Sequence, residues 1–345
     1  LDKMQPEFDL SGEGCYEDPK VKEEDDVFQD ALDTLNKYTQ MKITYQAEGK
    51  DDVVLDGETI STWLSVDDDF NVSVDDEALS AYVKAMAKNY NTAYGNRTLD
   101  TSYGQTVTIY GGNYGWWVDN AAEKEMILED LKAGKDVTRE PVYSQTANSH
   151  GENDYGNTYV EINLTAQHLF LYSNGQRILE SDFVSGKPYG HETPPGTYAV
   201  TYTQKYAILR GDTYETMVSY WMPFNEDIGL HDATWQSQLG SNLYQSIGSH
   251  GCVNLSYNVA KEMFNYVEKG MAVICYELPG TESSSITPQS DEEKAQSVID
   301  AINEIATSSK PAKQAANARM LYKQLSSAAK AKVTNYSDLL AYEAG

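Results

Sequence analysis

Cysteine is scarce: 3 in 345 residues, at Cys15, Cys252 and Cys275. That is too few and too scattered for a disulfide framework. No apolar run approaches the roughly 18 residues that a membrane span needs. Positive charge is short as well, with 26 Lys and Arg against 53 Asp and Glu, for a formal charge of −27. Such a field excludes nucleic acid and anionic membrane as partners; its plain consequence is solubility outside the cell. Phenylalanine is rare (7) but tyrosine abundant (26), which suits amphipathic surfaces that face peptide or carbohydrate. The chain opens on Leu1 rather than methionine, so we expect a targeting segment to have preceded it.

The length predicts two or three domains. Residues 1–26 end in "KVKEEDD" and read as a flexible leader. In 27–148, "VFQDALDTLNKY", "DDEALSAYVKAMAKNYNTA" and "NAAEKEMILEDLKAGK" carry helical periodicity, the last stopped by Gly134. "MKITYQAEGKDDVVLDGETISTWL" alternates like strand, breaks at a turn and resumes. These residues predict an α+β domain. From 157 to 278 short strands separated by Asn-Gly and Pro-Gly signals predict a β-rich, sandwich-like domain of mixed sheets, with a hairpin at "YSNGQRILE". Residues 279–294 have linker composition, and 295–345 predict a small helical module.

One stretch stands apart. "SIGSHGCVNLS" (246–256) places His250, Gly251 and Cys252 together in a chain with only 5 histidines. A metal site, ordinary packing and an activated thiol all compete. Zinc would lack a fourth ligand at usual spacing, and we expect no metal and no cofactor. A thiol attacks only as thiolate, so a nucleophilic cysteine needs a base. Two histidines are available: His250 at i−2, and His231 in "GLHDATWQS", which the fold must bring in. A glycine between His250 and Cys252 lets the backbone come close to a substrate. The N–H groups of Gly251 and Cys252 could then face a developing oxyanion. Cys275, in an apolar strand, reads as packing, as do Cys15, His150, His168 and His191.

These residues carry a family resemblance. His231, a gap of 17 residues, then Ser249-His250-Gly251-Cys252-Val253-Asn254 resembles the signature of the YkuD-like L,D-transpeptidases. The upstream "VSGKPYGHETPPGTYAV" and "SYWMPFNEDIGLHDATWQ" are similar to that family too, over about 157–278. The resemblance implies Cys252 as nucleophile and His231 as base, oriented by the backbone carbonyl of Asp232. His250 belongs to the site without a fixed role; Ser249, Asn254, Tyr220 and Trp221 brace the loop or lie near substrate. It also implies 3→3 cross-linking of peptidoglycan stem peptides, or L,D-carboxypeptidase action with water as acceptor. A carbapenem is the expected covalent inhibitor. Residues 27–146 resemble a peptidoglycan-binding domain of Gram-positive bacteria, which makes cell-wall glycan a further partner and the cell surface the expected location. The last fifty residues resemble a helical module of Gram-positive surface proteins. Two other readings remain at this point: a wall-binding protein without activity, and a cysteine peptidase, although papain-like enzymes place cysteine before histidine.

Overall fold

The computed structural model describes residues 20–211 and 214–344. The predicted leader therefore lies mostly, and Cys15 wholly, outside the described residues. The chain divides into two compact units, one from residues up to Asn89 plus Val118–Val142, the other from Tyr90–Trp117 plus Tyr143 onward.

The first unit sets helices α1 (Asp26–Thr39), α2 (Asp76–Tyr90) and α3 (Asn120–Ala133) with a small sheet, in which Ile43–Tyr45 pairs antiparallel with Val53–Leu55 and parallel with Val137–Arg139. Asp119 caps α3 through the N–H groups of Ala121 and Ala122, and Gly134 ends it at φ 64°, a left-handed angle that glycine adopts without a Cβ clash. The strand predicted to resume through "GETISTWL" stops at Leu55. There the Asp56 side chain accepts the Thr59 N–H and starts a short helix, Gly57–Ser61. Glu123 is fully buried but satisfied by the Tyr45 hydroxyl, Arg139 and the Val142 N–H.

The second unit is a two-sheet sandwich. Its strands are β1 (Tyr159–Asn163), β2 (His168–Ser173), β3 (Gln176–Asp182), β4 (Gly196–Ala199), β5 (Gln204–Gly211), β6 (Tyr214–Asn225), β7 (Ile228–Asp232), β8 (Val253–Leu255) and β9 (Ala272–Tyr276). One sheet runs β3-β2-β1-β9-β4 and the other β5-β6-β7-β8; β1–β9 and β7–β8 are the parallel pairs. The predicted hairpin is present: Ser173 pairs with Gln176, and Asn174 and Gly175 both take positive φ, as a type I′ turn requires. Val160, Ile162, Leu169 and Leu171 of the first sheet meet Met222, Phe224, Leu230 and Val253 of the second in the main core. Helix α4 (Tyr257–Met263) closes it with Ala260 and Met263.

Two segments pack away from their neighbours in sequence. Residues 90–117, assigned by pattern to the first domain, pack in the second unit, where Leu99, Ile109 and Tyr114 cover Ala272, Ile274 and Tyr276 of β9. A buried Arg97–Asp154 ion pair at 2.5 Å and the Ser102 hydrogen bonds to Glu161 fasten this ribbon. Residues 279–294 are no free linker. Thr287–Pro288 pairs with Gln238–Leu239, and helix α5 (Asp291–Asn303) already begins inside that range, capped by Ser290. Together with α6 (Pro311–Gln324) and α7 (Tyr336–Ala344), α5 forms an apolar cluster that includes Met217 of β6 and takes in Tyr206 and Ile208 of β5. The helical module thus covers one face of the β5–β6 pair.

Candidate active site

The register of the second sheet brings the candidate residues together. On parallel strands β7 and β8, His231 pairs with Asn254; across β6 and β7, Trp221 pairs with His231. Paired residues point to one face of a sheet and alternate residues share it. His231, Asn254, Trp221 and Cys252, two before Asn254, therefore share a face. His231, Ser249, His250, Cys252 and Asn254 all line one cavity of about 530 Å³. Cys252 packs against the cluster of Ala207, Val218 and Trp221. Tyr220, grouped with Trp221 by sequence, points the other way into the sandwich core, near Tyr257 and Phe264; strand alternation alone separates the two.

The loop before Cys252 is held from within. Ser249 Oγ donates to the Cys252 carbonyl at 2.6 Å and accepts the Gly251 N–H at 3.0 Å. Gly251 takes φ 117°, and a Cβ there would lie 2.8 Å from Ile228. The bond to Ser249 corrects one expectation: the Gly251 N–H is engaged inside the loop and does not face the cavity as an oxyanion donor. Thr193 Oγ1 adds a bond to the Gly251 carbonyl at 2.6 Å. It comes from the loop that also carries His191, whose ring meets that of His250 edge-on at 4.4 Å. Sequence pattern treated His191 as packing, because nothing within its Gly- and Pro-rich stretch signals a neighbour sixty residues away.

His231 is buried, and its Nδ1 lies 3.0 Å from the Asp232 carbonyl. A carbonyl only accepts, so Nδ1 carries the proton and Nε2 offers a lone pair. Burial lowers its pKa from 6.5 to about 4, against the opposing hydrogen bond to Asp232. His231 is a neutral imidazole at pH 7. The Asp232 carboxylate braces the strand pair. It accepts the N–H groups of Ser219 and Tyr220 at 2.8 and 2.9 Å, continuing the β6–β7 ladder where strand pairing stops. Burial raises its pKa to about 6 despite those bonds.

Cys252 is half-buried, and burial pushes its thiol up to about 11, partly countered by the Gly229 N–H. Its Sγ lies 3.5 Å from the Asp227 carbonyl. Gly229 is small by necessity, since a Cβ there would lie 2.7 Å from the Trp221 ring. The resting site therefore holds a neutral thiol and a neutral imidazole on the wall of one cavity. Such a pair suits proton transfer during attack rather than a preformed thiolate. Cys275 is fully buried in β9, and no cluster of three His, Cys, Asp or Glu side chains able to hold a metal occurs among the described residues.

Residues 157–275 match the family described as "L,D-transpeptidase catalytic domain". Along its whole length, an Enterococcus faecium L,D-transpeptidase, solved as its C442S mutant, aligns with 72% of this chain at 33% identity and a TM-score of 0.57. The chain belongs to the L,D-transpeptidase family. The avibactam carbamoyl form of Ldtfm is similar to the same degree, at 33% identity over 72% of this chain and 98% of that one, with a TM-score of 0.57. The E. faecium catalytic domain acylated by ertapenem is 42% identical over 35% of this chain and 97% of its own, with a TM-score of 0.33. No curated protein matches the chain. Residues 29–139 match the family described as "Putative peptidoglycan binding domain". The chain is thus a peptidoglycan L,D-transpeptidase by class, with its family motif on the cavity wall.

Proposed function

We propose that this enzyme forms 3→3 cross-links by two acyl transfers through Cys252. The observation that carries the reading is a thiol and a neutral, Nδ1-protonated histidine on one face of β7–β8 at the wall of one cavity. Sγ attacks the carbonyl carbon of the amide between the third and fourth residues of a tetrapeptide stem while His231 Nε2 takes the thiol proton. The C–N bond breaks, His231 returns the proton to the departing amine, and D-alanine leaves a thioester on Cys252. An amine on the third residue of a second stem then attacks the thioester and gives its proton to His231. The C–S bond breaks, and the sulfur regains a proton from His231. The Cys252 N–H is our candidate for oxyanion stabilisation, since the Gly251 N–H is taken by Ser249.

We place the reaction at the cell surface, where the substrate lies, with the 29–139 segment contacting wall peptidoglycan. Relatives carry covalent avibactam and ertapenem adducts; we expect a carbapenem to acylate Cys252 here. The test is mass spectrometry of tetrapeptide-stem muropeptides incubated with the protein and with Cys252→Ala. Dimers lacking one D-alanine, made only by the unmutated protein, support the reading. Tripeptide monomers alone would make it an L,D-carboxypeptidase. No product from folded protein across several stem types would reject both.

A further inference from the structure

Gln236 lies on the turn after β7 and lines the same cavity as the thiol and His231. It is about nine-tenths buried, at 6% exposure. Its Nε2 donates to the Ile247 carbonyl at 3.0 Å. Because a carbonyl can only accept, this bond fixes which end of the amide is which. The other end, Oε1, is buried with no hydrogen-bond partner among the described residues. A buried amide oxygen without a donor is unfavourable, and because the residue lines the cavity, a ligand N–H reaching it would supply the missing donor. The turn is also held in place. Gln289 donates its N–H to the Ser237 carbonyl at 2.9 Å and its Nε2 to the Ala233 carbonyl at 3.2 Å, and Gln238 pairs with Pro288. The segment after the catalytic domain therefore fixes the turn that presents this acceptor.

We infer that Gln236 Oε1 is a substrate-binding group that accepts an N–H of a peptidoglycan stem peptide. The inference rests on the function proposed above and adds a residue outside the His/Cys signature. The N–H belongs to a backbone amide of the acyl-donor stem or to the acceptor stem, and the two half-reactions tell these apart. Gln236→Met removes both ends of the amide at similar length; Gln236→Asn shortens the arm and serves as the second variant if the first does not fold.

Two measurements test it. In the first, binding of a tetrapeptide stem to Cys252→Ala is compared with binding to Cys252→Ala/Gln236→Met by calorimetry. In the second, kcat/KM is measured separately for donor and acceptor stems, with the rate of Cys252 alkylation by iodoacetamide as the chemical reference. A fall of about tenfold or more in kcat/KM for one stem, with alkylation unchanged, supports the inference and names the stem; weaker tetrapeptide binding assigns it to the donor. Equal falls for both stems together with slower alkylation would mean a merely structural role, and no change anywhere would mean that the oxygen takes no donor from either stem; either overturns it. Stem binding that depends on Gln236 in a protein that makes no cross-link would sink the proposed function but leave this inference standing.

Discussion

At the scale of single residues, burial sets the chemistry of the site. A thiol pushed up to about 11 and an imidazole pushed down to about 4 are both uncharged at rest. Iodoacetamide should therefore alkylate Cys252 slowly at pH 7 and about tenfold faster per pH unit as the thiolate fraction grows between pH 8 and 10. A pH-independent fast rate at pH 6 would show a preformed ion pair instead. The acylation kcat/KM should hold its plateau below pH 6.5 and fall only toward pH 4, where His231 takes up a proton. The stability signs oppose each other over that range. His231 has a depressed folded pKa, so its contribution is present above 6.5 and lost as pH falls to about 4. Asp232 has a raised one, so its contribution is present below the ordinary 3.8 and lost as pH rises through about 6. The two offset in one window. Asp232→Asn keeps an acceptor for Ser219 and Tyr220 and removes one of the two. Its melting temperature should then climb from pH 4 to 6.5 more steeply than that of the unmutated protein, as differential scanning calorimetry would register.

At the scale of elements, the catalytic loop is a small hydrogen-bonded unit on a sheet edge. Ser249→Ala removes the bonds to the Cys252 carbonyl and from the Gly251 N–H together. We expect a loss of about 1–3 kcal/mol in stability by urea denaturation and a lower kcat with the binding of tetrapeptide to Cys252→Ala little changed. Gly251→Ala should be worse, since it adds a clash with Ile228 to an unfavourable φ. Periodicity made one flank of the loop legible. The helical period of "NVAKEMF", which follows the cysteine motif, is present as α4, while the strand that carries His231, β7, had no such signal. It did not make legible that strand alternation would send Trp221 to the thiol and Tyr220 to the core, because neighbouring aromatic residues give no sign of which face is buried.

For the whole molecule, the helical module is part of the second unit and not an appendage. Met217, Tyr206 and Ile208 are covered by α5–α7, and the Tyr257 hydroxyl donates to Asp300 at 2.6 Å. Deleting residues 279–345 would expose that apolar face, remove the strand that pairs with Gln238–Leu239, and free the turn bearing Gln236. Burial worth about 25 cal/mol per Å² would be lost over a broad face. We expect a lower melting temperature and a lower kcat/KM for stem substrates; a truncated protein with full stability and activity would show the module to be independent.

By itself the sequence determined the family motif: a histidine, 17 residues, then Ser-His-Gly-Cys is a local order of side chains, and local order is what a sequence records. It also determined helices, hairpin and sheet character, since 3.6- and 2-residue periods are written along the chain. Only the tertiary structure decided that residues 90–117 and 279–290 belong with the catalytic sheets, that His191 meets His250, that Ser249 claims the Gly251 N–H, and that Gln236 faces the thiol's cavity. Each of those joins residues by burial or by a hydrogen bond between segments that no local period connects.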